Sequence, residues 1–73
     1  MLIGKINDKT RQKILVTVKK IKGVAMIDLR VHHIDENGEF IPSPAGVSLT
    51  LDQAKQAVQL LVEGCEKLVS SET

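Results

Sequence analysis

The pair Lys22-Gly23, with an alternating run on either side of it, constrains this chain more than any other feature. Upstream, Lys13-Ile14-Leu15-Val16-Thr17-Val18-Lys19 is rich in β-branched residues. Ile14, Val16 and Val18 fall on one face, and Lys13, Leu15, Thr17 and Lys19 on the other. Downstream, within residues 24–34, Ala25, Ile27, Leu29 and Val31 make an apolar face, while Met26, Asp28, Arg30 and His32 make a mostly polar one. Glycine accepts the positive φ that a hairpin reversal needs, so Lys22-Gly23 joins the two runs tightly. The expected unit is an antiparallel hairpin, oily on one side and basic on the other.

The rest of the chain extends that sheet and then changes period. Residues 1–6 read as a short strand entered by Leu2-Ile3, and Asn7-Asp8-Lys9-Thr10 has turn composition. Asn37-Gly38 is a strong hairpin signal. Glu39-Phe40-Ile41 follows as a short strand, which Pro42 and Pro44 end and bar from a central position. Gly46-Val47-Ser48-Leu49 reads as a last, edge-like strand. Thr50-Leu51-Asp52-Gln53 then fits a capping box, with Asp52 suited to the positive end of a helix dipole. Leu51, Ala54, Ala57, Val58, Leu61, Val62, Cys65, Leu68 and Val69 gather into a stripe roughly 140° wide at helical spacing. Gly64 lies beside that stripe, where glycine costs about 1 kcal/mol relative to alanine; close helix packing or a bend would account for it. The predicted fold is α+β, one domain over residues 1–73, with a four-stranded antiparallel sheet over 1–50 and an amphipathic helix over 51–70.

Size bears on assembly. A chain of 73 residues buries a smaller fraction of its surface than a larger domain does. Small domains recover stability through disulfides, metal or a partner subunit. The single cysteine excludes an internal disulfide, and Cys65, His32 and His33 lack the spacing of a zinc site. One small sheet with one covering helix is an incomplete core, which two copies about a twofold axis would complete. The expected interface is Ala54, Ala57, Val58, Leu61, Cys65 and Leu68, with Cys65 a buried, inert thiol. The lone cysteine and the lack of a signal-like apolar segment fit a cytoplasmic protein, and no apolar run approaches a membrane span.

Charge is distributed unevenly. Residues 1–30 carry eight basic side chains against two acidic ones; residues 31–73 carry two against seven. The formal net charge of +1 conceals this asymmetry, which points to a polyanionic partner for the first part. Lys13, Lys19 and Arg30 fall on one nominal sheet face, with Lys20 and Lys22 at the hairpin and Arg11 nearby, a surface suited to a phosphate backbone. Phe40 is the one aromatic residue, so base contacts would fall to Leu15, Ile21, Met26, His33 or the guanidinium plane of Arg30. Catalysis is not expected. The adjacent His32 and His33 face opposite ways, no nucleophile elbow or phosphate loop is present, and no cofactor is implied.

The stretch from Lys13 to Gln53 resembles the single-stranded-DNA-binding domain of the transcriptional coactivator family known as positive cofactor four. The matching pieces are Val16-Thr17-Val18-Lys19, Lys22-Gly23, Ile27-Asp28-Leu29-Arg30, Gly38-Glu39, Pro42, and Gly46-Val47-Ser48-Leu49 leading to Gln53. The resemblance implies a four-stranded sheet with a C-terminal helix, a homodimer formed largely through that helix, and sequence-tolerant binding of single-stranded or unwound DNA. Replication or transcription proteins are the further partners it implies. It places Lys19, Lys22 and Arg30 where the family has backbone-contacting basic side chains. Ile21 and His33 stand where the family commonly has aromatics, and Pro44-Ala45 replaces a basic pair. The compact chain looks like a bacterial or phage member, working in the bacterial or phage-infected cytoplasm; a eukaryotic member would be nuclear. Two other readings remain: a dimeric protein-interaction module that has kept the fold but little nucleic-acid affinity, and an RNA-binding protein.

Overall fold

A computed structural model describes residues 1–71. Four strands run in chain order, β1 (Leu2–Lys9), β2 (Gln12–Ile21), β3 (Val24–Ile34) and β4 (Phe40–Leu49), followed by one helix, α1 (Leu51–Ser71). The strands form a single antiparallel sheet in the order β1-β2-β3-β4. The α+β architecture is the one expected from the sequence.

The central hairpin pairs β2 with β3 without a break, from Gln12 opposite His33 to Ile21 opposite Val24. Lys22 and Gly23 form the two-residue reversal, with φ of 52° and 83°. Both central residues at positive φ define the type I′ turn, whose twist matches that of the strands it joins. The next reversal uses Asp35, whose carboxylate accepts hydrogen bonds from the Asn37 and Glu39 backbone N–H groups at 2.9 Å each. Gly38 takes the positive φ of 79° there.

Two expected boundaries were misplaced. β1 does not stop at residue 6; Asn7 pairs with Lys13 and Lys9 with Gln12, so the turn is Thr10-Arg11. An irregularity between Asn7 and Lys9 accommodates Asp8, which accepts a 2.7 Å hydrogen bond from the Gln12 amide. Pro42 and Pro44 do not end a strand either. They lie within β4, on the outer edge of the sheet, where a missing N–H removes no ladder bond. The register shift between Arg30 and His32 absorbs the extra residues.

The helix starts as the capping box predicts. The Gln53 side-chain oxygen accepts from Thr50 N–H at 2.9 Å, and Thr50 Oγ1 accepts from Gln53 N–H at 3.3 Å. Beyond its first turns the helix covers little. Ala54 is its one buried residue among those described, and Val58, Leu61 and Leu68 are each at least 60% exposed. A cavity of about 230 Å³ separates Val16, Ile27, Leu29 and Leu49 of the sheet from Ala54, Ala57, Val58 and Leu61 of the helix. Cys65, expected to be buried, is exposed in the single chain, because none of the described sheet residues reaches the outer half of the helix.

The polar face of the sheet is the better enclosed one. Lys5 and Phe40 belong to the outer strands β1 and β4, which share no ladder, yet the Lys5 ammonium lies 4.7 Å from the centre of the Phe40 ring. A flat sheet would hold these strands about 14 Å apart at three interstrand spacings. The sheet therefore curls toward its polar face, and Leu15 and Asp28 sink into the trough at 6% and 3% exposure.

Candidate nucleic-acid interface

Ladder pairs share a face, so the register determines what stands on the polar side of the sheet. Lys5, Leu15, Arg30 and Gly46 form one row across the four strands. Leu2, Thr17, Asp28 and Ser48 form the next, and Lys19 stands opposite Met26 beyond it. On the other side of Arg30 lie Lys13 and His32. The alternation of β2 and β3 fixed this placement, since side chains two apart on a strand point the same way.

Asp28 organises the centre. Its carboxylate accepts hydrogen bonds from Arg30 Nε and Nη2, both at 3.1 Å, and from Ser48 Oγ at 2.7 Å. Lys19 Nζ approaches to 3.5 Å. Burial alone would push the Asp28 carboxyl up. The hydrogen bonds from Arg30 and Ser48, with the charges of Arg30 and Lys19, outweigh that and hold it below the usual aspartate range. Arg30 is fixed from a second direction as well, since Nη1 donates to the Ser43 carbonyl at 3.0 Å. The bulged part of β4 supplies that carbonyl, and Ser43 Oγ donates to Val31 O at 2.9 Å to hold the bulge in place.

Gly46 makes the close approach of β4 possible. A Cβ at this position would stand 2.5 Å from Leu29 O and 2.8 Å from Arg30 Cα. The glycine also leaves β4 with no side chain beside Arg30 in its row.

The structure sorts the sequence-predicted contacts into groups. Lys13, Lys19, Ile21 and Arg30 stand on the polar face, and Lys22 projects from the exposed hairpin turn. Leu15 is on that face too, but its burial makes it part of the trough floor, not a surface open to bases. Lys20 pairs with Ala25, and His33 with Gln12 and Ile41, which puts both on the opposite, helix-bearing side. His32, not His33, shares the face of Arg30, and its Nδ1 lies 3.0 Å from Arg30 O. Arg11 is tied to the fold: Nη2 donates to Ile34 O at 3.2 Å and to Asp35 O at 2.9 Å. Lys13 Nζ donates to Lys9 O at 3.1 Å.

Sequence reasoning placed Asp28 on this face but gave it no role in the site, and it missed Ser48 and Lys5 as members of this surface. The Asp-x-Arg spacing carried a signal for that role, because it puts a carboxylate and a guanidinium on one strand face. Lys5 over Phe40 had none, since the contact depends on how far the sheet curls. Among the described residues no cluster of His, Cys, Asp or Glu could hold a metal ion, and no helix is long and apolar enough to cross a membrane.

The sequence model of the family described as Transcriptional Coactivator p15 (PC4) matches residues 9–60 of the 73. Among solved structures, the chain is similar to BPSL1147, a PC4 homologue from Burkholderia pseudomallei, in two crystal forms. The orthorhombic form has a TM-score of 0.84 at 23% identity, covering 89% of this chain and 88% of that one. The tetragonal form gives 0.81 at 23% identity, with 89% and 96% covered. A bacteriophage T5 homologue of the eukaryotic coactivator, implicated in recombination-dependent DNA replication, is similar with a TM-score of 0.63 at 24% identity, covering 99% of this chain and 80% of that one. No curated protein sequence matches.

Proposed function

This chain belongs to the transcriptional coactivator p15 (PC4) family, and from that membership we propose that it is a homodimeric, sequence-tolerant single-stranded-DNA-binding protein with no catalytic step of its own. The observation that carries the reading is the sidedness of the sheet. Lys13, Lys19 and Arg30 stand on its polar face, away from the helix, with Lys22 at the hairpin tip. An unpaired strand laid along that trough meets cations at both ends and no obstructing helix. Binding of this kind is driven by counterion release and is indifferent to sequence. The phage homologue's link to recombination-dependent DNA replication supports placing the work in replication or recombination; transcription is the other process the family supports.

What the single chain leaves uncovered supports the dimer. Leu15 and Ala54 are the buried hydrophobic residues among those described, an inadequate core for a sequence that is 42% hydrophobic. The half-buried apolar sheet face meets the helix stripe at Ala57, Val58 and Leu61, and Val58, Leu61, Cys65 and Leu68 are exposed, the kind of apolar surface that marks an interaction site. A second copy about a twofold axis covers it with the same surface. Leu61→Glu puts a charge at its centre, and sedimentation should then report monomer or unfolded chain. A fully folded monomer would contradict the pairing.

One observation favours the rival protein-interaction module. Asp28 engages both Lys19 and Arg30, so part of the expected cationic surface is already neutralised. Titration of oligo-dT at two ionic strengths, beside duplex of equal length, separates the readings. Single-strand preference with affinity falling steeply in salt is the expected result. Binding to neither would leave the module.

A further inference from the structure

The surroundings of Arg30 argue against its being a phosphate ligand. A guanidinium has five N–H donors in one plane. Three of them are committed, two to Asp28 and one to the Ser43 carbonyl. The Asp28 carboxylate is bound bidentately by Arg30 and only approached by the more exposed Lys19 at 3.5 Å, and a phosphate brought to the remaining Arg30 donors would come within a few ångströms of that buried anion. A clamped guanidinium still has its flat face. The Arg30 side chain keeps 20% of its surface open, Leu15 stands beside it in the row as part of the floor, and Gly46 contributes no side chain on the β4 side. A flat group held in a fixed plane is what a nucleobase stacks on. The chain has no free aromatic for that purpose, since the ring of Phe40, its one aromatic, already carries Lys5.

We propose that Arg30 is a base-stacking platform, with Asp28 as the positioning residue that holds its plane, and that the phosphates are met by Lys13, Lys19 and Lys22. The assignment deepens the single-strand reading above and rests on it. Arg30 on this view contributes to the base-dependent part of the affinity and little to its salt dependence. Lys19 contributes the reverse.

The test uses the full chain with two oligonucleotides of equal length, oligo-dT and its abasic counterpart, which keeps the phosphates and lacks the bases. Wild type should bind oligo-dT more tightly than the abasic strand. Arg30→Lys keeps the charge and removes the plane. It should weaken oligo-dT binding by about tenfold, within the roughly 5- to 150-fold that one stacked base is worth. Its affinity for the abasic strand and its salt slope should stay as in wild type. Asp28→Asn should shrink the same oligo-dT preference while the abasic strand binds no worse. Lys19→Ala should weaken both strands alike and lower the salt slope by about one contact. Equal wild-type affinity for the two strands overturns the platform, and so does an Arg30→Lys variant that loses both equally with a shallower salt slope. The wild-type comparison can overturn the platform by itself, even where a variant fails to fold. Wild type that binds neither strand sinks the single-strand reading itself, a distinct outcome.

Discussion

Gly46→Ala is the sharpest perturbation the fold offers. The added methyl would stand 2.5 Å from Leu29 O, 2.8 Å from Arg30 Cα and 2.9 Å from Arg30 Cβ. Two of these are backbone atoms, so no flexible side chain can swing away. A carbon and a carbonyl oxygen rarely approach closer than about 3.3 Å, so β4 must retreat by roughly 0.8 Å at this pair. Ladder bonds near 2.9 Å would then exceed the range of a hydrogen bond. One weakened ladder bond costs about 1 kcal/mol, and overpacking of this kind adds about 1–3 kcal/mol. An overall loss of about 2–3 kcal/mol lowers the melting temperature by roughly 10 °C or more in a domain of this size. Urea denaturation followed by circular dichroism measures it, at one protein concentration throughout, since the proposed dimer would make stability depend on concentration. The retreat also withdraws the Ser43 carbonyl from Arg30, so oligo-dT affinity should fall along with stability. A variant within about 0.5 kcal/mol of wild type, the usual range for a neutral surface change, would refute the close-approach reasoning.

Three further outcomes are expected. Lys22 sits at a φ of 52°, which a lysine adopts at a cost of about 1–2 kcal/mol; Lys22→Asn should raise stability by about 0.5–1 kcal/mol in denaturant while weakening oligo-dT binding by one phosphate contact. Thr50→Ala removes the 3.3 Å cap on Gln53 N–H and should cost about 1 kcal/mol by thermal melting, with Thr50→Ser near wild type. Asp28 has a carboxyl held below the ordinary range in the folded chain, so its contribution is full at neutral pH and is lost as pH falls through the ordinary aspartate range toward the depressed folded value. Stability of Asp28→Asn measured between about pH 7 and pH 2 should show a flatter acid limb than wild type. Parallel limbs would mean the Asp28 pairings contribute nothing.

The elements set by local chemistry were legible. Alternation in residues 13–19 and 24–31 placed the side chains of those two runs on their correct faces, because strand geometry has a period of two whatever packs against it. Lys22-Gly23 and Thr50-x-x-Gln53 were readable because a turn and a cap are satisfied by atoms within a few residues. The β4 boundaries failed for the opposite reason. Whether Pro42 and Pro44 end a strand depends on which side of them is the sheet edge, a fact about strand order and not about proline. The family position favours His33 over His32 as a base contact, whereas the alternation favours His32; the ladder follows the alternation.

The sequence alone therefore determined the order of the strands and helix, the sidedness of the central hairpin and the way the helix begins, all of which depend on contacts between near neighbours. Only the tertiary structure decided how the basic residues are held. Curling of the sheet buried Asp28 in the trough, brought Lys5 over Phe40 and turned Arg30 from a free cation into a clamped plane. Those outcomes depend on the distance between strands far apart in the chain, and no local pattern of residues encodes that distance.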